Sequence, residues 1–556
     1  MRRWGHVALV AALALGALVA IEGRGVASDG AVTIAGCAPA VARPGESRQL
    51  DEWRNYGNDL ADTRSQPGER DLSPATIGNA TAAWVADIGD GTGQTGGTNS
   101  TPIVADGCVF AGNAGGDVVA LNADTGAPVW KTRIASPPSA QAAVGYGGLI
   151  VGATVVSGRR VYALLNEAGD ANGNGPRLVA LDEATGRVLW RSQPIDSDAT
   201  HRPYPGDYTN ASPAVVPVRG SEDDHVVITG FSPPEGDPNG QGGFSLIDAE
   251  TGAVRALVHS IPESDPSGLD QAHGYAGGGV WSTPAYDRET GFAYIGAGNP
   301  FSKTKQHPNT NAILKVSINR GDLGRIVAAY RGNTDQYTST LEVLQDNPVC
   351  AATDNPAVPP AAYTFDDPAC GQFDLDFGAS PNLFRIGTTR VVGALQKAGV
   401  YHAFDTQAPP GTNPEVWSKV VGGFCHPCNA ATTAVGDGGI FGVTTPGGLA
   451  FGLHQVDGTS KWPAETPLGG GLHYESMSYA NGVAYTFDTE GFLDALDAAD
   501  GTPLVRWPMP VDTAEPMSAL TSGGIAIARH TLYVGASGGV PGAQSGIVIA
   551  YRLPAG

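Results

Sequence analysis

The sequence predicts an all-β fold: an eight-bladed β-propeller of four-stranded antiparallel sheets, with N- and C-terminal strands closing the ring in one blade. Three observations predict it. The first is repetition. The phrase ALNADTGAPVW (120–130) is written again as ALDEATGRVLW (180–190). Worn copies follow at 246–256, 403–417, 452–462 and 495–507, a poorer one at 315–324, and a truncated one, AYRL, at 550–553. Eight copies at intervals of roughly 40 to 90 residues mark a ring or solenoid of like units. The second observation is that the two ends are complementary. Trp84 has no turn phrase ahead of it and AYRL has no Trp behind it, so together they make one unit and leave no open edge. The third is composition: 78 Gly and 41 Pro in 556 residues, with 16% charged, suit short strands and many turns.

Each copy reads as a hairpin. Val118 and Ala120, two apart and both apolar, share one face and predict a half-buried strand. Asp-x-x-Thr-Gly is turn chemistry: the acid bonds its own backbone and the glycine accepts positive φ. The Trp four residues after the glycine is large enough to lie flat between neighbouring sheets, with its N–H aimed at a carbonyl.

Before the first copy, Arg2 and Arg3 precede an apolar run at 7–21 and Val-Ala-Ser at 26–28. This pattern predicts a signal peptide, residues 1–28, cleaved after Ser28, and export to the periplasm, cell envelope or medium. Residues 29–50 read as a linker and 51–556 as the propeller. Removing a segment of net +2 from a chain of net −22 leaves −24. That balance argues against nucleic acid and anionic membranes as partners. No later segment predicts a membrane span.

Six cysteines stand at 37, 108, 350, 370, 425 and 428. An even count in an exported chain predicts disulfides, with 15 pairings open. Proximity favours Cys350 with Cys370, and Cys425 with Cys428. Cys37 follows Ile-Ala-Gly, a hint of lipidation, but far beyond the apolar run. The long stretch at about 334–373 predicts a cover over one face, the usual use of so long a loop.

WRNYGNDLADTR (53–64), the repeats, GGGVWSTPAYDRETGFAYIGAGNP (277–300) and FDLDFGASPNLF (373–384) resemble the quinoprotein alcohol dehydrogenases. The last two strings look most like the polyvinyl alcohol dehydrogenase branch. The resemblance implies an eight-bladed propeller that binds pyrroloquinoline quinone (PQQ) with Ca²⁺ or a lanthanide. It implies an alcohol substrate, polymeric or secondary, and a separate electron acceptor such as a c-type cytochrome. It places metal ligands at Glu235, Asn299 and Asp374, with Asp376 as the extra carboxylate of lanthanide-using relatives. Asp374 is the implied catalytic base. Trp281 is the implied floor under the quinone, Lys397 the contact to its carbonyls, and Asn210 and Ser232 the partners of its carboxylates.

These residue types suit that chemistry. A planar tricycle needs an aromatic surface, and indole is the largest. A hard cation takes oxygen ligands and acts as a Lewis acid. A carboxylate within reach can take an alcohol proton, and an ammonium stabilises charge growing on oxygen. Asp374 and Asp376 are two apart in an extended run and share a face. Methanol-type enzymes of this family carry adjacent cysteines, absent here, and a Glu before the first blade where Asn99 stands. No CxxCH haem motif is present. A non-catalytic propeller that binds a protein or polymer is the alternative reading of the same repeats.

Overall fold

The computed structural model describes residues 33–38, 52–89, 100–135, 150, 152–167, 174–199, 201, 203–221, 223–234, 237, 240–262, 276–301, 307–333, 375–423, 429–469, 472–509, 523–536 and 546–554. The signal segment, the cover at 334–373, and Cys350, Cys370, Cys425 and Cys428 lie outside them. Among the described residues no helix is long and apolar enough to cross a membrane.

The strands, β1–β32 in chain order, form eight four-stranded antiparallel sheets. Seven are consecutive meanders. The eighth joins β30 (Ile525–Ala528), β31 (Thr531–Ala536), β32 (Ile547–Arg552) and, on its outer edge, β1 (Thr81–Asp87). Thr81 pairs with Arg552 and Asp87 with Ile547. The inner strand β30 also touches β2 (Ile103–Ala105) of the first sheet. The ends thus complete one blade, as their complementary phrases predict.

The repeat phrase spans the third and fourth strands of each blade. Asn122, Asp182 and Asp248 turn their side-chain oxygens onto the amides of Thr125, Thr185 and Thr251. The next glycine takes the left-handed region, φ 71° at Gly126 and 69° at Gly186. Five of the tryptophans then lie against the turn glycine of the following blade. Trp84 meets Gly126, Trp130 meets Gly186, Trp190 meets Gly252, Trp417 meets Gly458 and Trp462 meets Gly501. A Cβ on any of these glycines would stand 2.4–2.6 Å from the indole. Trp84, Trp130 and Trp462 also donate to carbonyls there, at 3.0–3.2 Å.

One sequence expectation changes. The middle strands are not half-buried: β3 (Cys108–Gly112) is buried throughout and β4 (Asp117–Asn122) nearly so. Each sheet has a neighbour on both faces, so both sets of side chains are covered. The expectation of disulfides is met by Cys37 bonded to Cys108, the pair left over by the two pairings favoured from proximity. The Cys37 sulfur is therefore not available to a lipid, and the 33–38 segment, with Ile34 buried, is pinned to the first blade.

The stretch 53–66 does not simply lead into the first hairpin. It crosses the ring and bonds to the inner strands of seven blades. Trp53 exchanges two backbone bonds with Val104. Carbonyls of Arg54, Leu60, Ala61, Thr63 and Arg64 accept from Val156, Tyr286, Leu383, Val435 and Tyr479. The Gln66 amide reaches the Ile527 carbonyl at 3.0 Å. Arg64 is fully buried, lies over the Tyr56 ring at 4.4 Å, and donates to the carbonyls of Tyr56 and Met477. This segment closes the channel as a plug.

Above the plug runs a belt of hydroxyls. The amides of Ala153, Ser212, Thr283, Ser380 and Thr432 donate in turn to the hydroxyls of Ser212, Thr283, Ser380, Thr432 and Ser476, at 2.8–3.2 Å. Each link joins one blade to the next just before its inner strand. The Tyr56 hydroxyl reaches up from the plug to Thr432 and Ser476.

Candidate functional site

Two residues before the belt position Thr283 stands Trp281, on the side away from the plug. The glycine run 277–279 brings it there. Gly278 donates to the Asn299 carbonyl at 2.8 Å, and Gly298 donates to the Gly279 carbonyl at 2.8 Å. Gly277 has φ 95°, and a Cβ on it would stand 2.4 Å from the Asn299 carbonyl oxygen. Only glycine allows so close an approach in that conformation. Gly378 does the same for the indole, since a Cβ there would fall 2.1 Å from it.

Asp376 is the junction of the site. Its Oδ2 accepts from the Trp281 indole N–H and from Lys397 Nζ, both at 3.2 Å. Its Oδ1 accepts from the Asn299 amide at 2.6 Å. Lys397 Nζ lies 4.7 Å above the Trp281 ring, a cation–π contact. The Lys397 amide donates to the Asp376 carbonyl at 3.1 Å, which ties the hairpin at 397 to the 375–377 segment. Asn429, fully buried, donates to the Lys397 carbonyl at 3.0 Å and holds that hairpin from the next blade. Asp376, Lys397 and Asn299 are 4–6% exposed. A buried charge pair needs such additional bonds to offset desolvation.

Asn210 and Ser232 belong to the preceding blade and are both buried. Ser232 and Tyr208 exchange two backbone bonds. The Ser232 hydroxyl stands 2.7 Å from where a Gly279 Cβ would be, so it faces the glycine run next to Trp281. Its Oγ is buried without a hydrogen-bond partner in the protein. Glu235 and Asp374 lie outside the described residues. The structure therefore brings Trp281, Asn299, Asp376 and Lys397 together, with Ser232 on the flank.

These features fit a flat, anionic, oxygen-rich ligand held beside a hard cation. The indole would supply a face, the Ser232 hydroxyl an unsatisfied donor, Lys397 a positive charge, and Asp376 a carboxylate beside them. Glu475, which the sequence reading missed, sits at belt level from the seventh blade. A Cβ on Gly523 would lie 1.3 Å from its Oε2, so the glycine makes room for the carboxyl. Burial pushes that carboxyl up to about 8, against the opposing charge of Arg64. Only its place one residue before a belt serine could have flagged it.

Residues 53–305 match the family described as PQQ: glucose/ethanol/alcohol dehydrogenase, beta-propeller domain. The quinohemoprotein alcohol dehydrogenase ADH IIB of Pseudomonas putida is 26% identical over 322 residues, 52% of this chain and 41% of that protein. A polyvinylalcohol dehydrogenase of Pseudomonas sp. is 24% identical over 482 residues, 81% of this chain and 66% of that protein. The chain thus spans less than half the length of the first of these relatives. The crystal structure of the quinohemoprotein alcohol dehydrogenase from Comamonas testosteroni superposes with a TM-score of 0.63 at 17% identity, covering 91% of this chain and 82% of that one. A europium-containing methanol dehydrogenase gives 0.64 at 14% identity, covering 91% and 98%. The two solved structures share the fold of this chain. The resemblance to quinoprotein alcohol dehydrogenases read from the sequence holds.

Proposed function

We propose that the chain is a PQQ- and metal-dependent alcohol dehydrogenase, exported, acting on polymeric or secondary alcohols such as polyvinyl alcohol. The observation that carries this reading is the convergence on Asp376 of Trp281, Asn299 and Lys397, which come from separate stretches of sequence. PQQ, when bound, supplies the two-electron oxidation. Trp281 offers the stacking surface, and Ser232 with Asn210 the polar flank that orients the ligand's carboxylates. Lys397 stabilises negative charge on the ligand's oxygens. Asp376 and the Asn299 side chain, with Glu235 and Asp374, make the oxygen set for Ca²⁺ or a lanthanide. Asp374, two residues before Asp376 in the sequence, takes the alcohol proton. The plug and belt exclude water from the far side of the chamber. Electrons leave to a separate acceptor such as a c-type cytochrome. The polyvinylalcohol dehydrogenase relative supports the substrate class.

The test is to mix purified protein with PQQ and Ca²⁺ or a lanthanide, then record the absorbance spectrum and dye reduction with alcohols. Metal- and PQQ-dependent turnover is expected, lost in Asp374→Asn with PQQ binding kept. A protein that takes up neither PQQ nor metal fits the non-catalytic scaffold reading instead.

A further inference from the structure

Behind Asp376 lies a chain of side chains that touches no proposed ligand position. Gln396 is fully buried and directly precedes Lys397. Its Nε2 donates to the Leu375 carbonyl at 2.6 Å and to the Asn333 carbonyl at 2.7 Å. Two carbonyls on one atom fix which end of the amide is nitrogen. Its Oε1 must then be the atom that accepts the Asn333 amide at 2.9 Å and faces His402 Nε2 at 3.1 Å. A Cβ on Gly332 would stand 2.6 Å from this oxygen, so the glycine leaves room for the amide.

His402, in β20 (Val400–Asp405), is buried, stacked on Phe404 at 5.7 Å and edge-on to Phe377. Its Nε2 also lies 3.2 Å from Asn333 Oδ1, and its Nδ1 lies 3.2 Å from Glu415 Oε2. Gln396 Oε1 and the Glu415 carboxylate are both acceptors. With Gln396 Oε1 facing it, Nε2 is a nitrogen that donates. Glu415 is itself anchored by Ser418 at 3.1 Å. Its carboxyl is held below the usual range, first by the bond to His402.

We infer that His402 is a positioning residue: through its Nε2–H it orients Gln396, and Gln396 in turn sets the 375–376 backbone that carries Asp376. The inference rests on the reading of this site as a cofactor site only for its catalytic consequence. The geometry concerns the protein alone. Two bonds to the 375–376 backbone come from consecutive residues, the Gln396 side chain to Leu375 and the Lys397 amide to Asp376. If Gln396 turns, the first of these is lost, and the 375–376 backbone loses a bond to the hairpin. Partners one layer behind a ligand commonly change affinity or activity by about 10- to 100-fold.

Two isosteres separate the two ends of the ring. His402→Gln keeps a donor near the Nε2 position, and His402→Asn keeps one near Nδ1. Backbone hydrogen exchange of the 375–380 segment is measured on the full chain without cofactor. PQQ and Ca²⁺ affinities and kcat are measured after reconstitution. His402→Asn is expected to speed exchange by about tenfold and to lower kcat by at least as much, with KM little changed, whereas His402→Gln stays near wild type. Gln396→Met is expected to reproduce the Asn variant, and adding His402→Asn to it changes nothing further. The inference is overturned if the Gln and Asn variants behave alike, or if Gln396→Met leaves exchange unchanged. Should the wild type bind no PQQ, the cofactor reading fails while the exchange data still decide the role of His402. If the His402 variants do not fold, the exchange of Gln396→Met decides alone.

Discussion

Lys397 and Trp281 share one oxygen: both donate to Asp376 Oδ2 at 3.2 Å, and the ammonium lies 4.7 Å over the indole. The carboxylate therefore holds the aromatic floor and the cation in fixed relation. A group that lies on that face of the indole meets the ammonium. The same geometry sets what substitutions should do.

Removing the carboxylate strands the ammonium. Asp376→Ala is expected to destabilise the protein by about 3–5 kcal/mol, the usual cost of breaking a buried pair. The double variant Asp376→Ala/Lys397→Met should recover much of that loss. Thermal unfolding of the single and double variants tests it. A double variant no more stable than Asp376→Ala would argue against the pair. In reconstituted protein, Asp376→Ala should weaken the lanthanide response more than the Ca²⁺ response, because charge matters more for the trivalent ion.

Trp281→Ala should weaken PQQ binding by about 1–3 kcal/mol, by analogy with bases stacked on aromatic rings. The fold should persist, because the blade-to-blade couplings run through other tryptophans, such as Trp130 on Gly186. Titration of PQQ against the variant measures the loss. Unchanged affinity would mean that the indole only packs against Gly378.

The plug should matter for stability. Arg64→Met removes a fully buried cation that donates to the carbonyls of Met477 and Tyr56. Bonds to charged groups contribute about 1.5–3 kcal/mol each, so a loss of a few kcal/mol is expected in denaturant unfolding. A midpoint equal to wild type would show that the segment merely rests in the channel.

Glu475 gives stability a pH dependence. Its carboxyl is pushed up to about 8 in the fold, while in the unfolded chain it titrates near about 4.3. Below both values each state holds the proton and nothing changes. Between them only the folded state holds it, so stability falls with rising pH at about 1.4 kcal/mol per unit, and above both it levels off. Glu475→Gln cannot ionise and should flatten this slope, raising the melting temperature at pH 8.5 relative to wild type but much less at pH 4.5. The same difference at both pH values would remove Glu475 as the cause.

Much of the ring was legible because its unit is written eight times. The turn phrase and its Trp predict five of the blade-to-blade contacts, and Trp84 on Gly126 follows from the same rule that places Trp130 on Gly186. The plug was not legible. WRNYGNDLADTR has neither strand alternation nor helical period, because its backbone bonds go to six different strands rather than to one neighbour. The belt was hidden in plain turn chemistry. Ser212, Thr283 and Ser380 each precede a proline, and that pairing reads as a loop. Site residues could be read only by type. The sequence put Asp374 and Asp376 on one face. Which neighbours Asp376 meets depends on where the glycine run 277–279 delivers Trp281, and that is set by the ring.

The pairing of residue 81 with residue 552 has a consequence for how the protein comes into being. The eighth blade needs the first strand and the last three, so the ring cannot close on a partly synthesised chain. Loop closure over such a span is the slow kind of folding. The plug is made before most of the walls it bonds to. Until the final strands arrive, the growing chain carries an uncapped edge at β1 and an unseated Arg64. A stop codon that removes only residues 547–556 would therefore cost more than one strand: it would leave β1 without a partner and open the ring.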